Sequence, residues 1–212
     1  MIENYDLIIW DWNGTLLDDS SYCLAITNSM LEKRGLPLLP KERYQEIMDF
    51  PIIDYYAKLG FDYEKEPYDL LAHEFIDEYE NGKGCLKLRT GVKETLNKIK
   101  ELGKTQAILS AYVQNALRST VASHGIQDSF DQIVGMDNVY AHGKIDLAKK
   151  FINDIGNHKS KILYIGDTTH DYEVAQEMGV DSILVFSGHN SIERLRNCKV
   201  NVIRDLGELF NG

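Results

Sequence analysis

Six short runs of Ile, Leu and Val constrain this chain more than any other feature. They are "YDLIIWD" (5–11), "TQAILSA" (105–111), "QIVGMD" (132–137), "KILYIGD" (161–167), "SILVFSG" (182–188) and a weaker "VNVIRD" (200–205). Each is apolar nearly throughout instead of alternating cleanly, which suits parallel strands covered on both faces. Helical spacing recurs between the later runs, at about 90–102, 113–124, 144–155 and 169–179. Alternation of this kind predicts an α/β fold: a doubly wound parallel sheet with right-handed crossovers.

One region breaks the alternation. Residues 19–85 contain no convincing strand but four helical segments. "SSYCLAITNSMLEKRG" is closed by Gly35 and followed by "KERYQEIMD". "PIIDYYAKLG" and "PYDLLAHEFIDEYENG" follow, with Pro51 and Pro67 at first-turn positions. The expected organisation is a Rossmann-like core of residues 1–18 and 86–212, interrupted by an all-helical cap domain at 19–85. "NGKGCLKLRTG", rich in Gly and Lys, suits the hinge between them.

In such a sheet ligands bind beyond the carboxyl ends of the strands. The first run ends in Asp11, the second in Ser110 and the fourth in Asp167, with Asp171 four residues on. Lys144 opens the helix before the fourth run. Singly, each has an ordinary alternative: an N-cap for Asp11, Asp167 or Ser110, a dipole partner for Asp171, a solvated amine for Lys144. Jointly they place three acids, a hydroxyl and an amine on one rim. That set suits Mg²⁺, which takes one or two carboxylates plus a phosphate. It also suits a carboxylate nucleophile whose phosphoryl group is held by an amine and a hydroxyl. Gly14 permits close backbone approach, and amides of the loop after Asp11 are candidate phosphate donors.

The net charge of −10 provides no field for nucleic acid or an anionic membrane. The amino-terminal apolar run has no basic flank and is too short to span a bilayer. Cys23, Cys85 and Cys198 form no paired pattern, so the expected setting is the reducing cytoplasm.

With these residues in view, the sequence resembles the haloacid dehalogenase-like (HAD) hydrolases, in their phosphoglycolate phosphatase-like branch with a helical cap. "DWNGTLLD" resembles the first motif, D-x-D-G-T-L-x-D. "ILSA" resembles the second, Lys144 in "HGKIDLAKK" the third and "IGDTTHD" the fourth, G-D-x-x-x-D. The resemblance spans essentially the whole chain and implies a phosphatase of a small phosphorylated metabolite. It makes Asp11 the nucleophile and a Mg²⁺ ligand, with the carbonyl of Asn13 and Asp167 as further ligands. Asp171 supports the metal. Ser110, Ala111 and Lys144 hold the phosphoryl group, with Gly14 and Thr15 beside it. The turn "MDFPI" (48–52) is a candidate substrate-facing loop, and Arg43 and Lys58 are candidate anion contacts.

One position departs from the pattern. The family's phosphatases carry an Asp two residues after the nucleophile, acting as acid to the leaving oxygen and then as base on water. Here it is Asn13, whose amide does not titrate in this range. Three readings follow: a slow phosphatase or one adapted to good leaving groups; another proton donor, with Asp18 and His170 nearest in sequence; or a protein that binds a phosphorylated ligand or partner without turnover. Dehalogenation does not need the acids of "GDTTHD". A Schiff-base mechanism requires a buried cap lysine, for which Lys58 and Lys65 lack context. A phosphomutase relies on the missing acid.

Overall fold

The computed structural model describes residues 1–137, 143–156, 161–186 and 188–211. Its centre is a six-stranded parallel sheet. The strands are β1 (Leu7–Trp10), β4 (Thr105–Val113), β5 (Gln132–Met136), β6 (Ile162–Gly166), β7 (Asp181–Val185) and β8 (Asn201–Ile203). Their order is β5-β4-β1-β6-β7-β8. The chain therefore winds outward in both directions from β1, which has β4 on one side and β6 on the other. Trp10 stands opposite Ile108 and Ile165. Asp11, Ser110 and Asp167 thus reach the same rim, at the switch point where such sheets bind ligands.

The central strands β1, β4 and β6 are buried on both faces, which explains their unbroken apolar runs. Ile8, Trp10, Ile108, Leu163 and Ile165 join one cluster with Leu96 and Ile99 of α5 (Val92–Glu101) and Leu117 and Val121 of α6 (Gln114–Ser123). Their alternates Leu7, Ile9, Ala107, Leu109 and Tyr164 pack against Ala148 and Phe151 of α7 (Lys144–Ile155) and Val174 and Met178 of α8 (Thr169–Met178).

The helical region comprises α1 (Ser20–Lys33), α2 (Lys41–Ile47), α3 (Ile52–Lys58) and α4 (Tyr68–Gly82). These helices share a third cluster, centred on Met30, Leu31, Tyr44, Tyr55, Tyr56 and Leu71. At its borders the chain forms a short antiparallel ribbon, β2 (Leu17–Asp18) against β3 (Lys87–Leu88), where the sequence pattern predicts only a hinge.

Two other differences shape the rim. β4 runs to Val113, past the expected end, because Ser110, Ala111 and Tyr112 bulge: three residues separate Leu109 from Val113 where one, Gly135, separates Val134 from Met136. A Cβ on Gly135 would meet the Tyr112 carbonyl at 2.5 Å, so the bulge requires glycine there. A short helix, α9 (Ile192–Asn197), follows β7 without having been expected. Ser187, within the expected fifth run, lies outside the described residues. No described helix is long and apolar enough to cross a membrane.

Candidate active site

Asp11 directly follows Trp10, the last residue of β1, and is almost fully buried, as is Lys144 at the start of α7. The Lys144 ammonium donates to Asp11 Oδ1 at 2.5 Å and to Asp171 Oδ1 at 2.7 Å. Asp171 Oδ2 accepts from the amides of Asp167 and Thr168 and from the Thr168 hydroxyl, closing a capping box at the head of α8. Both oxygens of Asp171 are thus engaged. Its structural task is to hold Lys144 and the turn that presents Asp167. A Cβ on Gly166 would meet Asp171 at 2.3 Å, so the strand end is glycine by necessity.

Asp167 is fully buried. It accepts from the Thr15 hydroxyl at 2.9 Å and from the His189 amide at 2.6 Å. Thr15, expected beside the phosphoryl group, is instead buried and spends its hydroxyl on Asp167. The Gly14 amide, expected as a phosphate donor, goes to Asp19 Oδ1 at 2.8 Å and the Leu17 carbonyl at 3.0 Å. Gly14 has φ +76°, and a Cβ there would lie 2.4 Å from Asp167 Oδ2 and 2.5 Å from the His189 ring. Its lack of a side chain serves this close packing.

Ligand oxygens of Asp11, Asp167 and Asp171 all lie within 4.8 Å of one another. Three carboxylates against the single Lys144 ammonium leave a formal charge of −2. The imbalance is visible in proton affinity. Burial pushes the Asp11 carboxyl up to about 8, against Lys144 and with Asp171 and Asp167 adding to the rise. Burial likewise lifts Asp167 to about 6. Asp171 is held below its ordinary value despite burial, because Lys144 lies against it. A buried all-oxygen donor set with excess negative charge fits a hard divalent cation such as Mg²⁺.

A second buried network abuts the first and was not foreseen from the sequence. Asn13 Nδ2 donates to Asp19 Oδ2 at 2.6 Å and to the Tyr79 hydroxyl at 2.8 Å. Tyr79 donates to the same Asp19 oxygen at 2.8 Å. His189 Nε2 lies 3.4 Å from Asp19 Oδ1, and its Nδ1 is hydrogen-bonded to the Tyr44 hydroxyl at 2.6 Å. Despite burial, His189, Asn13 and Tyr79 hold Asp19 below its usual range. Against burial, Asp19, Asp167 and Asp11 raise His189 to about 9. Asp18 and His170, the proton donors nearest in sequence, lie elsewhere: Asp18 is exposed beside Arg89, and His170 meets Glu173 and the ring of Phe50.

A cavity of about 210 Å³ separates the helical region from the rim. Asp11, Asn13, Ser110, Ala111, Lys144 and His189 line its base. Ser110 Oγ accepts from the Tyr112 amide at 3.1 Å within the bulge. Met48, Phe50 and Ile52 of the "MDFPI" turn also line the cavity. Arg43 does not; it is exposed and paired with Glu46, and Lys58 is exposed as well. The turn is clamped to the rim, since the Met48 carbonyl accepts from Asn190 at 3.1 Å and Arg194 at 2.5 Å.

A family profile described as haloacid dehalogenase-like hydrolase matches residues 8–185, from β1 through β7. The chain belongs to this family. Among its relatives is the phosphoglycolate phosphatase of Rhodobacter capsulatus, 22% identical over 190 residues, 86% of this chain and 84% of that one. Another is the N-acetylmuramic acid 6-phosphate phosphatase of Pseudomonas aeruginosa, 24% identical over 186 residues, 86% of this chain and 82% of that one. A solved HAD-like family protein from Streptococcus pneumoniae superposes with a TM-score of 0.83 at 18% identity, covering 100% of this chain and 99% of the other. That likeness confirms the sheet architecture. The HAD profile stops before His189, the residue that joins the two buried networks.

Proposed function

We propose that this HAD-family chain is a Mg²⁺-dependent phosphatase of a small phosphorylated metabolite, acting through an aspartyl-phosphate on Asp11, with residues 19–85 as its cap. The observation that carries this is Asp11 itself. A buried carboxylate, held by Lys144 and lining the cavity, supports a nucleophile's role for it. The phosphatase relatives support the same reading.

In this mechanism an oxygen of Asp11 attacks phosphorus, and the bond to the leaving oxygen breaks. Lys144 and Ser110 hold phosphoryl oxygens as charge shifts onto them. Water then attacks the phosphorus of the aspartyl-phosphate, releasing phosphate and restoring Asp11. Asp11, Asp167 and the Asn13 carbonyl would hold the cation, with Asp171 behind them. When bound, it supplies the charge that keeps Asp11 a carboxylate and screens it from the phosphate dianion. The helices exclude all but the attacking water. Asn13 donates two hydrogen bonds and has no proton to give the leaving oxygen, so substrates with good leaving groups, such as aryl esters or acyl phosphates, turn over best.

The test is release of inorganic phosphate from phosphomonoesters and acyl phosphates with and without Mg²⁺. Turnover that needs Mg²⁺ and disappears in Asp11→Asn is the expected result; turnover surviving that change defeats the nucleophile assignment. Asn13 also favours a second reading, a binder of phosphorylated ligands. Inorganic phosphate and Mg²⁺ binding by calorimetry, with no turnover of either substrate class, selects that alternative.

A further inference from the structure

The cavity carries information about the other half of the substrate. Aromatic rings dominate its walls: Tyr44, Phe50, Tyr55, Phe75, Tyr79 and Tyr112 all contribute. Its charged lining is one-sided. Asp11, Asp19, Glu80 and Asp171 face it, and Lys144 is the one lysine or arginine among the described lining residues. That ammonium is already shared between two carboxylates. His189 is paired with Asp19. Glu80 sits where Tyr112 donates to it, with its second oxygen on Lys83. A leaving group with its own carboxylate or second phosphate would meet acids and aromatic edges with no free cation. Burying a charge so placed is strongly unfavourable.

Size agrees with chemistry. A cavity of roughly 150 Å³ suffices to take up benzene, and this one offers about 210 Å³. Half-buried Phe75 stacks against Tyr79 with rings 18° apart, giving a flat wall near Asn13. Asn13 supplies an independent reason. Without an acid at that position the leaving oxygen departs as an anion. A phenol, with a pKa of about 10, bears that charge far better than an alkyl alcohol.

We propose that the site selects a phosphomonoester whose organic part is an uncharged aromatic group. This rests on the phosphatase reading, and it predicts a discrimination against carboxylated substrates such as phosphoglycolate.

Binding of three non-hydrolysable phosphonates, measured by calorimetry on the full chain with Mg²⁺, tests the proposal separately from turnover. Phenylphosphonate is expected to bind at least about 30-fold tighter than methylphosphonate, since a single methylene in an apolar pocket is worth roughly 10- to 200-fold. Phosphonoacetate is expected to bind no tighter than methylphosphonate. Phe75→Ala, at a half-buried site, should cut the phenyl advantage at least about fivefold and leave methylphosphonate unchanged. Tighter binding of phosphonoacetate than of phenylphosphonate, equal binding of phenyl and methyl compounds, or no binding of any of the three overturns the proposal. If Phe75→Ala fails to fold, the wild-type comparison decides alone. Failure of the phosphatase reading shows differently: the binding order holds, but phenyl phosphate releases no phosphate.

Discussion

Replacing Asn13 by Asp is the most informative single change, and its cost can be worked from the structure. The new carboxylate would stand about where Nδ2 now stands, 2.6 Å from Asp19 Oδ2. Two full charges at that separation, at an effective dielectric near 20, repel by about 6 kcal/mol. The pair avoids this by binding one proton. Protonating an acid of pKa near 3.9 at pH 7 costs about 4 kcal/mol, at roughly 1.4 kcal/mol per unit. The smaller figure governs. Asn13→Asp should therefore destabilise by about 4 kcal/mol at pH 7, by only about 1.5 kcal/mol at pH 5, and by little near pH 4. For a chain of this size the loss at pH 7 lowers Tm by roughly 8–15 °C. Calorimetry of both proteins at pH 5, 6 and 7 checks this. The retained proton also has a chemical use, because the variant carries the acid that Asn13 lacks. Turnover of benzyl phosphate, which leaves as an alkoxide, should rise by about 10²-fold, and that of phenyl phosphate much less. A stability deficit that does not change with pH, or equal gains on both esters, refutes the reasoning.

Three further outcomes follow from the same geometry. Lys144→Met leaves Asp11 and Asp171 buried without their cation; it should cost about 3–5 kcal/mol in denaturant unfolding and abolish phosphate release. Gly14→Ala forces a methyl against Asp167 at positive φ; a loss of about 2 kcal/mol or more with collapsed turnover is expected in melting and kinetic assays. Stability should also depend on pH and cation together. In the cation-free protein Asp11 is raised to about 8 and His189 to about 9. Both groups hold more protons folded than unfolded over the intervening range, so stability falls as pH rises from about 4 to about 9, with His189 alone contributing on the order of 3 kcal/mol between pH 6.5 and 9. Saturating Mg²⁺ should remove the Asp11 part, and a melting temperature equally pH-dependent with and without Mg²⁺ contradicts the metal assignment.

Burial on both faces is why the sheet was readable from sequence alone: parallel strands must be apolar throughout, and Ile8 and Ile9 face opposite clusters yet both lie in the core. The rim acids were readable because a strand end has a defined place in a doubly wound sheet. Asp19, Tyr79 and His189 were not, because a loop or helix position meets the rim only once the helices pack. The "GHN" residues 188–190 after β7 did carry a signal, since that strand ends on the same rim, but nothing local shows the chain turning back toward Asp167. Likewise no period marks the bulge at Ser110–Tyr112. The consequence is largest at Asn13. As a motif position it is a missing acid. In the folded chain its amide donates to Asp19, which also accepts from Tyr79 and pairs with His189. A carboxylate at 13 and an ionised carboxylate at 19 are mutually exclusive at neutral pH, so Asn13 and Asp19 are one structural choice. Restoring proton transfer at 13 without the stability cost therefore requires changing 19 as well: Asn13→Asp combined with Asp19→Asn should recover much of the lost stability, and a purely additive double variant would break the link between the two positions.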